Sequence, residues 1–355
     1  MSLHKKASGA TIRDVAHRAQ VSAMTVSRVI NGTATVHPET RERILDAIAQ
    51  LQYVAKPPRR TRTSHTSRTL GFIVPNLSEP FFTRISLGVE LAASRHGFGV
   101  FICNSHGNHH HERRLLAELR NREVDGIIMT ASNDDSAPVL TEFMHHGCPL
   151  ILIDREVPGV DLDVIQSDNV QGMRSLTQHL IALGHRRIAF MSSDIHISTS
   201  RDRLHGYRLA LDTAGIQFDA TIVVAHTSDD APSDYQAALN MLQHAQRPDA
   251  IVTTNTIAAT SIVHACTELR LRIPHDIAIA TFDDFEHTNM IFPFFTVAEQ
   301  PTTLMGAFAV EQLILRIQEP HIPVSNVKLP TVFVERRSCG AAHMTEFFAQ
   351  QFALR

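Results

Sequence analysis

Short apolar segments alternate with longer amphipathic segments along most of this chain, and this alternation restricts its fold more than any other feature. Buried strands are predicted at residues 69–75, 98–103, 125–131, 149–154, 187–192, 249–254 and 277–283. Helices are predicted between them, near residues 80–96, 111–122, 136–146, 170–183, 201–215, 233–245, 255–269 and 301–318. Apolar strands alternating with helices predict parallel sheets covered on both faces. Because the strands form two sets, we expect two doubly wound α/β lobes with a ligand cleft at the strand carboxyl ends.

The first 53 residues follow a helical pattern instead. Helices are predicted over residues 12–19, 23–30 and 38–52, and Thr11 and Ser22 precede the first two as N-caps. Helical spacing directs one set of apolar side chains toward a shared core: Ile12, Val15, Ala16, Ala19, Val26, Val29, Ile30, Ile44, Leu45, Ile48 and Leu51. Two short helices joined by a tight break and closed by a third predict an all-α helix-turn-helix head. Its second helix would lie in the major groove of DNA.

Charge is distributed unevenly between this head and the rest of the chain. Residues 1–68 carry 12 Lys/Arg and four Asp/Glu, whereas the remaining residues carry 21 Lys/Arg and 32 Asp/Glu. A basic head on an acidic body predicts that only the head meets a polyanion. A merely solvated charged surface would explain either half alone, but it explains the contrast poorly.

The string TIRDVAHRAQVSAMTVSRVINGTATVHPETRERILDAIAQLQY closely resembles the headpiece of the LacI/GalR repressor family. The resemblance continues in order through LGFIVPNLSEPFF, VDGIIM, LGHRRIAF, RDRLHGYRLAL, IPHDIAIATFDD and VFVERRS, so it covers residues 11–338. It implies a sequence-specific DNA-binding transcription regulator, usually a repressor. It also implies a periplasmic-binding-protein-like body in which the chain crosses between the two lobes three times.

The resemblance further implies which head residues contact DNA. Ala23, Met24 and Arg28 occupy the base-reading positions of the second helix. Arg28 can donate two hydrogen bonds to a guanine edge, worth about 1–3 kcal/mol of discrimination, while the other two offer apolar contact. Phosphate contacts, which position the head without reading sequence, are expected from Thr11, Ser22, Thr25, Ser27 and Asn31. Because one small head buries too little surface for tight specificity, we expect a homodimer on a pseudo-palindromic double-stranded operator.

Residues 54–68, VAKPPRRTRTSHTSR, form a basic connector that departs from the family pattern. The family usually has P-N-x-x-A-R-x-L here, and its leucine enters the minor groove of the operator. Only Arg60 keeps that pattern, and Arg62 stands in place of the leucine. Without this wedge to unstack a base step, we hypothesise that Arg59, Arg60 and Arg62 bind the minor groove or its phosphates with less bending. A disordered basic linker is the alternative.

The expected organisation is a head (1–53), the connector (54–68), an effector-binding and dimerisation domain (69–340) and a tail (341–355). Lobe 1 would comprise about residues 69–166 and 299–329, and lobe 2 about residues 167–298 and 330–340, with crossings near Ser167, Ala298 and Pro330. The tail is amphipathic. It would pack on its own body or form a short tetramerising coil.

Eight side chains at predicted strand ends match the positions the family uses for its effector: Phe82, Asp154, Arg155, Thr199, Arg203, Asn255, Asp283 and Gln300. Carboxylates, amides and guanidinium groups bind pairs of sugar hydroxyls, and an aromatic ring packs on the sugar face. Arg155 and Arg203 together could hold an acidic group, which would favour a sugar acid or sugar phosphate. Any single Asp at a strand end is equally often a helix cap.

Other signals are weaker. The widely spaced Cys103, Cys148, Cys266 and Cys339 indicate buried free thiols. The stretch HGNHHHE indicates a polar loop in preference to a metal site. No apolar run approaches the roughly 20 residues of a membrane span, and the N-terminus has no apolar signal-peptide core, so we expect a cytoplasmic protein. No phosphate-binding or nucleophile motif occurs, so neither a cofactor nor catalysis is expected.

Two other classes of function compete with a regulator. A solute-binding protein of a transport system fits the body, but the basic head and the missing signal peptide argue against it. A nucleotide-dependent α/β enzyme is disfavoured because phosphate loops are absent.

Overall fold

The computed structural model describes residues 12–22, 25–26, 29, 37–51, 67–226, 233–284 and 294–340. The chain divides into two compact units, Met1–His65 and Thr66–Arg355. The connector at 54–66, most of the second head helix and the tail at 341–355 lie outside the described residues. The described helices are α1 (Ile12–Arg18), α2 (Pro38–Gln50), α3 (Pro80–Arg95), α4 (His109–Asn121), α5 (Ala137–Met144), α6 (Asn169–Ala182), α7 (Ser198–Thr213), α8 (Asp234–Gln243), α9 (Thr256–Glu268) and α10 (Thr302–Gln318).

The head has a small apolar core. Its described buried members are Val15, Ala16, Ala19, Val26, Ile44 and Ala47. Oγ of Ser22 accepts a hydrogen bond from the backbone N of Thr25 at 3.1 Å, the geometry of an N-cap at the start of the second helix. The sequence assigned Leu45 to this core, but its side chain is 50% exposed, and Ala47 is buried instead. At about 100° per residue, Ala47 shares a helix face with Ile44, whereas Leu45 is turned away from it.

The described strands of the second unit are β1 (Thr69–Val74), β2 (Gly99–Asn104), β3 (Gly126–Met129), β4 (Leu150–Ile153), β5 (Val164–Ser167), β6 (Ile188–Asp194), β7 (Val223–His226), β8 (Ala250–Thr253), β9 (Ala278–Phe282), β10 (Thr296–Glu299), β11 (Asn326–Leu329) and β12 (Val332–Val334). They form two six-stranded sheets, ordered β11-β5-β4-β3-β1-β2 and β12-β10-β9-β8-β6-β7. The strand order is therefore the same in both lobes. This confirms the two α/β lobes expected from the sequence.

Every residue of the central strands β3, β4, β8 and β9 is buried, because helices cover both faces of each sheet. The first sheet is entirely parallel. The second is parallel except at its edge, where β12 runs antiparallel to β10. Such an antiparallel edge is common on otherwise parallel sheets.

The chain passes between the sheets three times. It leaves the first sheet after Ser167, returns between Glu299 and Thr302, and leaves again between Leu329 and Val332. Each lobe is therefore assembled from separate stretches of chain. The three neighbouring segments form the joint between the lobes.

Each lobe contains a pair of helices that cross at glycine. A Cβ added at Gly88 would lie 2.3 Å from the carbonyl O of Thr303, and a Cβ added at Gly306 would lie 2.6 Å from the carbonyl O of Ile85. Helices α3 and α10 therefore meet backbone to backbone in the first lobe. In the second lobe, α6 and α7 meet likewise, because a Cβ at Gly206 would lie 2.2 Å from the carbonyl O of Val170.

Several local expectations need correction. The histidine-rich stretch is not a loop throughout, because α4 begins at His109 and Asn108 caps it by accepting hydrogen bonds from His110 and His111 N at 2.8 and 3.3 Å. Cys266 and Cys339 are buried as expected, but Cys103 and Cys148 are only partly buried. No helix among the described residues has the length and apolar character to cross a membrane.

Candidate functional site

A cavity lies between the two lobes. All eight side chains selected from the sequence line it: Phe82, Asp154, Arg155, Thr199, Arg203, Asn255, Asp283 and Gln300. Five further residues line it that the sequence analysis did not select: Glu79, Phe81, Ile197, Ser200 and Thr254. Glu79 and Ile197 directly precede helices α3 and α7, and Thr254 directly follows β8. Their positions at strand-to-helix turns were the signal that could have identified them.

Two aspartates occupy corresponding positions in the two lobes. Asp154 follows β4 with φ +72°, and Asp283 follows β9 with φ +68°. The backbone N of Asp154 donates to the carbonyl O of Ile165 at 2.8 Å, and that of Asp283 donates to Ala298 at 3.0 Å. Asp tolerates this left-handed backbone better than most residues. The tight turn holds each carboxylate at the carboxyl end of its sheet.

Asp154 is 3% exposed, and its Oδ2 lies 3.3 Å from Nε of Arg155. Burial raises the pKa of Asp154, and the positive charges of Arg155 and Arg203 oppose this effect. Nη1 of Arg155 donates to the carbonyl O atoms of Ala131 and Ser132 at 2.9 and 2.8 Å. Arg155 is therefore anchored to the first lobe at its outer end.

Arg203 is 6% exposed and is fixed by several contacts. Its Nε donates to Oδ1 of Asn169 at 2.8 Å, and its Nη1 donates to the carbonyl O of Thr254. Its guanidinium carbon lies 3.9 Å from the ring centroid of Phe282. Burial lowers the pKa of Arg203, and the negative charges of Asp283 and Asp154 oppose that shift.

Asp283, which follows β9, forms a hydrogen-bonded pair with Gln300, which lies where the chain returns to the first lobe. Nε2 of Gln300 donates to Oδ1 of Asp283 at 2.7 Å. Burial raises the pKa of Asp283 to about 6, against the opposing influence of Arg203 and of this hydrogen bond. The carboxylate is therefore ionised at neutral pH but titrates in mild acid.

The remaining predicted residues contribute in different ways. Asn255 caps α9, its Oδ1 accepting a hydrogen bond from Ala258 N at 2.8 Å, so one of its two polar ends is already engaged. Thr199 lies in the first turn of α7. Phe82 lines the cavity but is nearly buried in the first-lobe core, whereas the neighbouring Phe81 is only partly buried. The two rings meet edge to face at 5.0 Å between centroids.

A second cavity adjoins the first and shares Glu79, Phe81, Asn255, Asp283 and Gln300 with it. Its other lining residues are Pro80, Arg84, Thr256, Asp284, Glu299 and Thr302. Asp284 forms a buried ion pair with Arg336, with Nη1 2.7 Å from Oδ1.

The two lobes also contact each other directly beside the cavity. Arg201 of the second lobe binds Asp134 of the first through two hydrogen bonds of 2.7 and 3.1 Å. The backbone N of Asp134 donates to the carbonyl O of His196 at 3.3 Å. Oγ of Ser198 accepts from the backbone N of Glu156 at 3.2 Å. These contacts hold the lobes together at one edge of the site.

The loop that carries Asp134 is itself held from within the first lobe. The wholly buried carboxylate of Glu112 accepts hydrogen bonds from N of Ser132 at 2.6 Å and from Oγ of Ser136 at 2.6 Å. The carbonyl groups of Ala131 and Ser132 in turn accept from Arg155. One short loop therefore joins a cavity residue to the contact between the lobes.

In the head, two of the eleven predicted DNA contacts are described. Oγ of Ser22 lies 2.8 Å from Oγ1 of Thr25, and Ser22 is exposed. Both hydroxyls lie at the N-terminus of the second helix, where backbone N–H groups favour a phosphate. The other nine lie outside the described residues: Thr11, Ala23, Met24, Ser27, Arg28, Asn31, Arg59, Arg60 and Arg62.

Comparisons with known proteins agree with this architecture. Residues 11–56 match the family described as "Bacterial regulatory proteins, lacI family". Residues 67–337 match "Periplasmic binding proteins and sugar binding domain of LacI family". The ribose operon repressor of Escherichia coli (strain K12) is 30% identical over 332 residues, which cover 93% of this chain and 99% of that protein.

Two solved structures resemble the whole chain. The complex of the transcriptional regulator CelR with cellobiose is 32% identical with a TM-score of 0.68, covering 93% of this chain and 99% of that one. The lac repressor dimer bound to operator and the anti-inducer ONPF is 27% identical with a TM-score of 0.68, covering 94% of this chain and 100% of that one.

The head, the duplicated α/β lobes and these matches define a DNA-binding transcriptional regulator with a sugar-binding domain. The chain belongs to the LacI family, and within it to the transcriptional repressors.

Proposed function

We propose that this repressor is a dimer whose affinity for its operator is changed by a small carbohydrate-derived effector bound in the cavity between the lobes. The observation that carries this proposal is the convergence of the eight predicted side chains on one cavity. They come from both lobes and from a crossing segment, so a ligand that contacts them bridges the joint of the body. The effector would be a sugar, a sugar acid or a sugar phosphate.

The lining is suited to a polyhydroxylated ligand. Asp154, Asp283 and Gln300 supply acceptors, Arg155 and Arg203 supply donors, and Phe81 and Phe82 supply apolar ring surface. Sugar-binding sites combine a few convergent polar groups with such a surface. The cellobiose complex of the similar regulator CelR supports a carbohydrate as the ligand class.

Control of DNA binding would follow from movement of the lobes. We expect the two lobes to adopt two arrangements, and an effector that contacts both lobes stabilises the arrangement that it binds more tightly. The effector shifts the equilibrium between the two arrangements by the difference in its binding free energy for them. The contact between Arg201 and Asp134 belongs to the arrangement described above. The effector would therefore act on the joint that these residues also hold.

Dimerisation is supported by exposed apolar residues on the first lobe. Leu87 and Leu91 lie on α3 and are 53% and 43% exposed, and Ile102 on the contacting strand β2 is 41% exposed. Strand β2 is also the edge of its sheet. A second copy covering this surface would form a dimer, which carries one head for each half of a pseudo-palindromic operator. The similar lac repressor, solved as a dimer bound to operator, supports a dimer here as well.

Within each head, Arg28 would read a guanine with apolar help from Ala23 and Met24, while Ser22 and Thr25 contact phosphates. The basic connector would bind the centre of the operator through Arg59, Arg60 and Arg62. Without a leucine wedge it would bend DNA less than a leucine-bearing family member, and its affinity would fall steeply with salt. Bending equal to that relative's in gel phasing would contradict this part of the proposal.

The experiment that tests the effector role uses the full chain with an operator selected from random DNA. Sugars, sugar acids and sugar phosphates are screened by thermal shift, since a ligand at about 100-fold its Kd adds about 2.7 kcal/mol of stability. Any that raise the Tm are then added to a fluorescence-anisotropy titration of the operator. A change in operator Kd that Arg203→Lys abolishes is expected. If no carbohydrate shifts the Tm of a chain that binds DNA, the proposal fails.

A further inference from the structure

We propose that the cavity between the lobes selects an uncharged sugar and excludes the carboxylate and phosphate derivatives of the same sugar. This inference rests on the proposed carbohydrate-binding function and narrows it. It departs from the expectation, drawn from Arg155 and Arg203 in the sequence, of an acidic effector.

The first argument is the charge of the lining. Among the residues that line the cavity, Glu79, Asp154 and Asp283 are acidic, whereas Arg155 and Arg203 are basic. The lining therefore contains three carboxyl groups and two guanidinium groups. A ligand anion would be placed among three carboxylates in a site of reduced dielectric, where like charges repel strongly.

The second argument is that acceptors of the protein already engage part of each guanidinium group, although Nε of Arg155 is buried without a hydrogen-bond partner among the described residues. Arg155 donates to two carbonyl groups and lies beside the Asp154 carboxylate. Arg203 donates to Asn169 and to Thr254, and it is balanced electrostatically by Asp283 and Asp154. Two arginines arranged to clamp an anion would instead present their donors together toward the ligand. Here they neutralise the aspartates.

The third argument concerns the hydrogen-bond donors that a ligand must supply to the cavity. Within the described part of the chain, Oδ1 of Asp154 and Oε1 of Gln300 are buried and accept no hydrogen bond. Both residues line the cavity and are 3% exposed. A buried acceptor is costly until a donor reaches it. Sugar hydroxyls can donate, whereas ionised carboxylate and phosphate oxygens can only accept.

The adjoining cavity gives an anionic substituent no better place. It is lined by Glu79, Asp283, Asp284 and Glu299, with Arg84 as the one basic side chain among its lining residues. Nη1 of Arg84 lies 3.9 Å from Oε1 of Glu299, and Asp284 is paired with Arg336. A phosphate or carboxylate extending from a sugar in the first cavity would therefore meet further carboxylates.

The test compares matched compounds on the full-length protein by isothermal titration calorimetry at pH 7.5. The probes, all of which retain the sugar rings, are D-ribose and ribose 5-phosphate; D-glucose, D-glucuronate and glucose 6-phosphate; and cellobiose with cellobiouronate. In any set that binds, the uncharged member is expected to bind at least about tenfold more tightly than its charged derivatives, because of like-charge repulsion in the cavity. Tighter binding of an acid or phosphate overturns this inference and leaves the proposed carbohydrate function standing. Absence of binding by every probe overturns both.

A substitution separates charge from shape. Asp154→Asn keeps the size of the side chain but removes one negative charge, so the preference for the uncharged sugar over its acid should fall by about tenfold. Asp161→Asn, at an exposed position of the same lobe, is the matched control and should leave the ratio unchanged. An unchanged ratio in Asp154→Asn, with the sugar still bound, would contradict the electrostatic origin of the selectivity.

Discussion

Asp154 and Asp283 show how a duplicated strand order produces a single binding site. Each follows the third strand from the β11 or β12 edge of its sheet, and each donates a backbone hydrogen bond to the neighbouring strand. Their carboxylates consequently line one cavity although they are 129 positions apart in the sequence. Arg203 balances both charges. The electrostatics of the site therefore belongs to this group of three residues as a whole.

The pKa of Asp283, raised to about 6 by burial, predicts a pH-dependent effector affinity. Above this value the ionised carboxylate accepts hydrogen bonds from the ligand; below it, the proton removes an acceptor and one of the charges that balances Arg203. Affinity should therefore fall as the pH falls, by about tenfold between pH 7.5 and pH 5 if only the ionised form binds. Titration calorimetry at several pH values measures this. In Asp283→Asn the component with a midpoint near pH 6 should disappear; its persistence would assign the titration to another group.

The sequence located the charged and amide residues of the cavity because each follows a strand or begins a helix in a recognisable motif. Most of these residues were selected because they resemble the positions that the family uses for its effector. Phe81 and Ser200 were not found, because each lies beside a selected residue and no spacing distinguishes the two neighbours. The hydrogen-bond partners of each arginine also could not be predicted from the sequence. Its partners, such as Asn169 or the carbonyl O of Ala131, are set by the folded backbone.

At the scale of elements, the crossing of α3 and α10 depends on two glycines. Gly306→Ala would place a methyl group 2.6 Å from the carbonyl O of Ile85, so the helices must separate. We expect the free energy of unfolding of the first lobe to fall by about 1–3 kcal/mol, the usual effect of overpacking. Urea titration followed by circular dichroism measures it. Gly99→Ala is the control, because its nearest neighbouring atom would be 4.0 Å away, and a loss as large in this variant would refute the steric explanation.

The ion pair between Arg201 and Asp134 should contribute to effector affinity without touching the effector. Neither residue is among those that line the cavity, and both side chains are about a third exposed (36% and 32%). Arg201→Lys loses the paired geometry, which is worth only about 0.5–1 kcal/mol at such exposure, so the effector Kd should rise two- to fivefold. The matched control is Arg272→Lys, whose two-bond pair with Asp276 lies within one lobe. Equal effects of the two variants on the effector Kd would argue against a role in lobe closure.

The strands that could be predicted from the sequence are those that coincide with a continuous apolar segment. The seven predicted strands correspond to β1, β2, β3, β4, β6, β8 and β9 within a few residues. Five strands were missed: β5, β7, β10, β11 and β12. All five are three or four residues long; β11 (NVKL) alternates polar with apolar residues, and β5 (VIQS) has only two apolar residues, followed by two polar ones. They are held in place by pairing with a neighbouring strand, which local sequence does not reveal.

At the scale of the whole molecule, the exposed apolar surface on α3 and β2 predicts the mode of self-association. Leu87→Glu would place a charge in the proposed dimer interface and should raise the dimer Kd by about 100-fold or more, since it both removes apolar burial and desolvates a carboxylate. Sedimentation velocity over a range of concentrations measures the change. Leu183→Glu, 40% exposed in the second lobe, is the control. A Leu87→Glu protein that remains dimeric at low concentration would place the interface elsewhere.

The three passages of the chain between the sheets have a consequence for protein synthesis. The first sheet gains its last strand only at Asn326–Leu329, and the second only at Val332–Val334. At 5–20 residues per second, a ribosome that has completed the head needs on the order of 10–50 s more to supply these strands. During that interval the head is present while neither lobe is whole. A nonsense mutation between the head and β11 would therefore release a DNA-binding segment attached to a body in which neither lobe is complete, so that the proposed control by an effector would be lost.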